Sequence, residues 1–288
     1  MQEQRPVASR LERRVMAAIK KFTELKFSDF FMFAAAMKDE EICKGVLERV
    51  LEIPIKKVKV HSEHSLLVNS DHRGVRMDVY ADDEAGTKFN IEMQTTDKGN
   101  LPYRSRYYQG QMDMESLEPG DAFIDLPKVF IIFICKFDPF GQGLYRYSFD
   151  MQCRETAQRL EDGVSRVFLN TKGRTAEGVS PDLIRFLKYV DTASLEDAEK
   201  DPLIRRIETR IDGLKHDRSM EVEYMQFEEI LRDERAEGHM EGRAEAVEKL
   251  MLLIRLMTED GLAGEIPRLD SDAAYRTAMY EKYQIDLN

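Results

Sequence analysis

The run KVFIIFICKF, Lys128 to Phe137, is apolar at every position from Val129 to Cys135. A strand with one face in water alternates polar and apolar residues. A continuous apolar run is the mark of a strand covered on both faces. The chain must therefore supply helices as well as further strands to enclose it, which points to a layered α/β fold.

The surrounding segments supply both. DFFMFAAAMKDEEICKGVLERVLEI, Asp29 to Ile53, places Phe33, Met37, Ile42, Val46, Leu47 and Val50 at three- and four-residue steps. Asp39, Glu40 and Glu41 inside it read as a second helix start, and Pro54 ends the helix. IKKVKVH, Ile55 to His61, alternates as a short strand; GVRMDVYA, Gly74 to Ala81, and TKFNIEMQTT, Thr87 to Thr96, read as two more. Leu101 to Leu117 reads as a helix with Pro102 in its first turn. LYRYSF, Leu144 to Phe149, and Arg166 to Asn170 add short strands after the Asp138–Gly143 turn. Helices follow at 182–189 and 203–214. A long polar stretch at 220–257 is read as a solvated or oligomerising helix; its EGxxEGxxE pattern is too short to be a repeat. The expected organisation is a mixed α/β core over 1–170 and a helical region over 171–288.

With 42% hydrophobic residues in 288, a sizeable core is within reach, and no run of eighteen apolar residues suggests a membrane span. The polar N-terminus does not resemble a secretory signal. Cys43, Cys135 and Cys153 show no ligand or disulfide spacing, which fits a reducing cytoplasm. His61, His64, His72, His216 and His239 lack zinc spacing, with His61 and His64 expected in a loop. No GxSxG nucleophile turn and no GxxxxGK[ST] phosphate loop is present. The net charge of −11 disfavours nucleic-acid binding overall, but Arg10–Lys26 and Ile55–His61 are locally basic, and much of the acid lies beyond Leu195.

The hairpin is where chemistry concentrates. Val75, Met77 and Val79 share one face of the first strand, and Phe89, Ile91 and Met93 one face of the second. Asp78, Glu92 and Gln94 then point the other way. A three-residue turn with Gly86 left-handed brings Asp78 opposite Glu92 and Arg76 opposite Gln94. This polar face is either a solvated sheet surface or a site of hard oxygen ligands for Mg²⁺, with Mn²⁺ as a substitute. In the second case Asp78 and Glu92 ligate, the Met93 carbonyl adds a third oxygen, and Gln94 orients water.

The run VRMDVYADDEAGTKFNIEMQ, then RSRYYQGQMD, then VFIIFICKFDPFG resembles the PD-(D/E)XK nuclease family transposases, also called recombination-promoting nucleases. The likeness covers roughly Lys26 to Phe149. It implies a restriction-endonuclease-like mixed sheet flanked by helices and metal-dependent DNA cleavage, with water as the nucleophile. It matches Asp78 and Glu92 to the motif acids, and Gln94 to the position that is Lys in the wider superfamily. Arg104 and Tyr108 match an RxxxY-like pattern; they contact phosphate, brace the ligands, or simply pack as a surface pair. Glu48 is a candidate extra acid, or an exposed helical Glu. The implied function is a DNA endonuclease linked to recombination, transposition or defence against mobile DNA, with a homodimer or higher homo-oligomer through the C-terminal helices as the expected assembly. The alternatives are RNA cleavage by the same site, and a nuclease-fold protein that has become an interaction module.

Overall fold

The computed structural model describes residues 20–61, 65–66, 75–194, 196 and 200–286, with the backbone alone for 65–66, 75–76 and 234–245. The basic stretch before residue 20, Gly74, His64 and His72 lie outside the described residues.

Two helices open the described chain, α1 (Phe30–Met37) and α2 (Glu40–Leu51). Asp39 separates them: its carboxylate accepts the N–H groups of Glu41 and Ile42 at 3.0 and 3.1 Å, capping α2 in place of an intrahelical partner. The helix buries Ile42, Cys43, Val46, Leu47 and Val50, as their spacing requires, and ends at a left-handed Glu52 ahead of Pro54.

Among the described residues eight strands follow: β1 (Val58–His61), β2 (Ser65–Leu66), β3 (Val75–Arg76), β4 (Val79–Asp83), β5 (Lys88–Gln94), β6 (Val129–Cys135), β7 (Arg146–Phe149) and β8 (Val164–Asn170). Six form one mixed sheet in the order β1-β4-β5-β6-β8-β7, while β2 and β3 pair separately. The centre is parallel, β5 on β6 and β6 on β8, and both edges are antiparallel. The apolar run is β6, and from Ile131 to Cys135 its exposure is 0%. Between β5 and β6 lies helix α3 (Leu101–Ser116), the crossover that joins two parallel neighbours.

Helix α3 covers one face of the sheet. Its Leu101, Tyr108 and Met112 share a core with Tyr80, Ile131, Phe133 and Phe168. Phe133 and Phe168 stand level on adjacent strands and stack with centroids 5.4 Å apart. Alternation turns Ile132 and Ile134 to the other face, and they too are fully buried. α1, α2, α4 (Pro181–Thr192) and α5 (Pro202–Lys215) form a helical layer, in which Phe27 ties α1 to α4 through ring contacts with Phe33, Phe186 and Tyr189. Arg49 of α2 donates to Asp201, 1% exposed, at 2.7 Å, and Asp201 also caps α5. A Cβ on Gly45 would stand 2.7 Å from the Leu203 Cδ1, so glycine permits this close approach of α2 and α5.

The chain divides into two compact units, Met1–Glu221 and Val222–Asn288. The second holds the later part of α6 (Arg218–Glu259), then α7 (Arg268–Ser271) and α8 (Ala273–Lys282), around Leu253, Met257, Leu269 and Tyr280. Among the described residues no helix is long and apolar enough to cross a membrane.

Several expectations change, among them the pairing of Arg76 with Gln94, since Arg76 pairs with Ser65 of β2. The strand expected from Gly74 to Ala81 is broken: β3 ends at Arg76, β4 begins at Val79, and a bend at Asp78 lies between. The break also undoes the expected alternation, because Met77 joins the core beneath α3 together with Tyr80. His61, expected in a loop, ends β1 and pairs with Asp82 on the neighbouring β4.

Candidate active site

The hairpin turn sets the register. Asp83 N–H donates to the Thr87 carbonyl at 3.0 Å, Gly86 takes φ +79°, and the Asp83 carboxylate accepts from Ala85 and Thr87 at 2.9 Å. Three residues thus separate the paired positions, and Val79 falls opposite Ile91. One step further along that register stand Asp78 and Glu92.

There the backbone ladder stops and side chains take over. Met93 N–H donates to the Asp78 Oδ2 at 2.8 Å, and Asp78 N–H donates to the Glu92 Oε1 at 3.2 Å. Each acid accepts a backbone hydrogen on the opposite strand, so the two strands part without leaving those donors unpaired. The carboxylates are brought together at the end of the β4–β5 ladder, with the Met93 peptide between them.

This face is not the solvated one that its polarity suggests. Glu92 is 1% exposed and Asn90 0%, because α3 lies over them. The helix presents Arg104 and Tyr108, four residues apart and so on one side. The Arg104 Nη2 donates to the Glu92 Oε2 at 3.0 Å, and its Nη1 donates to the Gln94 Oε1 at 2.8 Å. The Tyr108 hydroxyl accepts from the Arg104 Nε and Nη2 at 3.2 and 2.7 Å. The guanidinium also lies 5.2 Å from the Tyr108 ring centroid and 5.4 Å from that of Phe133. Asp78, Glu92, Gln94, Arg104 and Tyr108 therefore form one connected network.

Burial dominates the electrostatics. It pushes the Glu92 carboxyl up from 4.5 to about 7, against the pull of the Arg104 charge and the Asp78 N–H. Burial works on Arg104 in the opposite sense, but the Tyr108 hydroxyl and the charges of Glu92 and Asp78 prevail and hold it protonated. Tyr108 is raised by burial and by the neighbouring Glu92.

Residues 27–240 match the family model described as PD-(D/E)XK nuclease family transposase. The chain belongs to that family. No curated protein and no solved structure matches it significantly. The six-stranded mixed sheet flanked by helices is the PD-(D/E)XK nuclease fold, and membership gives the protein a nuclease-like, transposase-related character.

Within the family frame, the donor chemistry suits a hard divalent cation: two adjacent carboxylates and a peptide group, which is enough for Mg²⁺, an ion that keeps several waters. Among the described residues no third His, Cys, Asp or Glu completes a cluster. Glu48 is engaged elsewhere. Its Oε1 accepts the Ile55 N–H at 2.9 Å, latching the turn after α2, and it shares no hydrogen bond with the network among the described residues. Sequence reasoning offered Arg104 as a bracing or phosphate-binding residue and did not read it as the counter-ion of Glu92. The available signal was the four-residue spacing to Tyr108. A hollow of about 490 Å³ lined by Asp39, Arg205, Arg206 and Arg210 shares no residue with the site.

Proposed function

We propose that the chain is a Mg²⁺-dependent endonuclease, with Mn²⁺ as a substitute, that hydrolyses phosphodiester bonds in cytoplasmic DNA during recombination, transposition or defence against mobile elements. The observation that carries the proposal is the parting of β4 and β5 at Asp78, where the Asp78 carboxylate accepts the Met93 N–H and the Glu92 carboxylate accepts the Asp78 N–H across the gap. Glu92 is a fully buried acid at that gap, a charge that costs several kcal/mol unless it is paired, and Asp78 stands beside it.

In this reading Asp78, Glu92 and the Met93 carbonyl hold the cation. When bound, Mg²⁺ supplies an acidified water and neutralises charge on the phosphate. Gln94 accepts from Arg104 through its oxygen, which leaves its amide N–H groups to orient a water. An amide cannot take up the water's proton, so Gln94 positions and does not act as a base. Tyr108 fixes the guanidinium that links Glu92 to Gln94.

Cations stand at the same end of the sheet. Gln94, Cys135 and Asn170 are level across β5, β6 and β8. Lys136 follows Cys135, its N–H donating to the Gln94 carbonyl at 2.8 Å, and Lys172 lies two residues beyond Asn170. Lys172 is paired with Asp191 at 2.7 Å, and Asp97 and Asp138 also lie near Cys135, so this rim carries charges of both signs.

The test is cleavage of supercoiled plasmid with Mg²⁺ or Mn²⁺ by the wild type, Asp78→Ala and Glu92→Gln, each confirmed folded. Metal-dependent nicking lost in both variants supports the proposal. No cleavage of supercoiled, linear or single-stranded DNA with either metal refutes it and favours an interaction module. Cleavage of RNA alone moves the substrate assignment.

A further inference from the structure

A buried carboxylate requires a positive partner or a proton, and in the metal-free chain that partner is Arg104. The Glu92 Oε1 accepts the Asp78 N–H, and its Oε2 accepts from the Arg104 Nη2. A divalent ion held by Glu92 through Oε2 would compete for the oxygen that the Arg104 Nη2 now occupies at 3.0 Å. Cation and guanidinium would then be near neighbours with like charge in a poorly hydrated setting, a strongly repulsive arrangement.

The surroundings allow Arg104 to leave. It stands in the first turn of α3, and its side chain is 26% exposed while that of Glu92 is 1% exposed. Beyond Glu92, Gln94 and the nearby charge of Asp78, it rests on the Tyr108 hydroxyl and the faces of the Tyr108 and Phe133 rings. Tyr108 lies on the same helix one turn on, so the guanidinium can keep this contact while releasing Glu92.

We propose that Arg104 is the resident counter-ion of the carboxylate pair and is exchanged for the divalent cation when the site loads. The exchange sets the cation concentration at which the site becomes competent and keeps the buried acids compensated until then. The inference rests on the metal-dependent reading above and concerns the loading of that same site.

Mn²⁺ binding followed by electron paramagnetic resonance, without nucleic acid, tests it in the wild type, Arg104→Met and Glu92→Gln. Arg104→Met is expected to bind Mn²⁺ on the order of tenfold more tightly, about 1.4 kcal/mol, while Glu92→Gln loses binding. Mn²⁺ should also raise the melting temperature of Arg104→Met more than that of the wild type, whereas loss of a merely structural arginine would lower both states alike. Should Arg104→Met fail to fold, Arg104→Gln serves as the neutral variant. Wild-type binding that Glu92→Gln abolishes and a folded neutral variant leaves unchanged or weakened overturns the exchange alone. No Mn²⁺ binding by any protein overturns the exchange together with the metal-dependent reading.

Discussion

Replacing Glu92 by Gln should change how stability depends on pH more than it changes stability at any one pH. Burial raises the Glu92 carboxyl from its ordinary 4.5 to about 7 in the folded chain, so between these values the native state holds a proton that the unfolded state has released. Stability from this group is therefore fully present below about pH 4.5 and declines as pH rises towards 7. At 1.36 kcal/mol per unit, the loss across that window is at most about 3 kcal/mol. Other acids slope the opposite way: Asp201 and Asp138 are lowered, and their contributions disappear as pH falls. The useful quantity is thus the difference between wild type and Glu92→Gln, measured by urea unfolding at several pH values in the presence of a chelator. The amide carries no titration, and any misfit of its N–H groups against the Asp78 N–H is a constant offset. The wild-type advantage should fall by a few kcal/mol from pH 4.5 to 7. Parallel curves would show that Arg104 alone keeps Glu92 ionised throughout, and the burial reasoning would be refuted.

Two further perturbations probe the frame around the site. Arg49→Met leaves the Asp201 carboxylate buried at 1% exposure without its main cation, and should destabilise by about 3 kcal/mol, read as a lower urea midpoint. Gly86→Ala meets no atom within 4 Å, so its cost is that of placing a side chain at φ +79°, about 1 kcal/mol. Gly86→Asn should lose less, since Asn tolerates this conformation, and equal losses would argue against backbone strain as the cause.

The strand content was legible where a single physical constraint dominates. The apolar run at 129–135 is the central strand because no solvated surface tolerates seven such residues. The hairpin register follows from the odd loop and Gly86, so the pairing of Asp78 with Glu92 was readable from spacing. The covering of the polar face was not. Helix α3 buries Ser105 and Gln111 beside Tyr108 and Met112, so it shows no clean apolar stripe to announce which sheet face it packs on. The contact of His61 with Asp82 was equally hidden, because it depends on the pairing of β1 with β4 across a connection of seventeen residues.

The misread strand at Gly74–Ala81 is itself informative. GVRMDVYA has the alternation of an unbroken strand, and nothing in its local propensities demands the bend at Asp78. The bend exists because the Asp78 side chain takes the Met93 N–H that a continuing ladder would have used, while Glu92 takes the Asp78 N–H in return. Local pattern and tertiary structure disagree at the residues proposed to hold the cation, as expected where a sheet gives up regularity at a functional site. The same exchange explains why both acids are needed for one geometry. Without Asp78 the Met93 N–H would lose its acceptor, and without Glu92 both the Asp78 N–H and the Arg104 guanidinium would lose theirs. The parting of the strands, the burial of Glu92 and the placement of Arg104 are therefore one structural feature, and a substitution at any of these residues acts on all three.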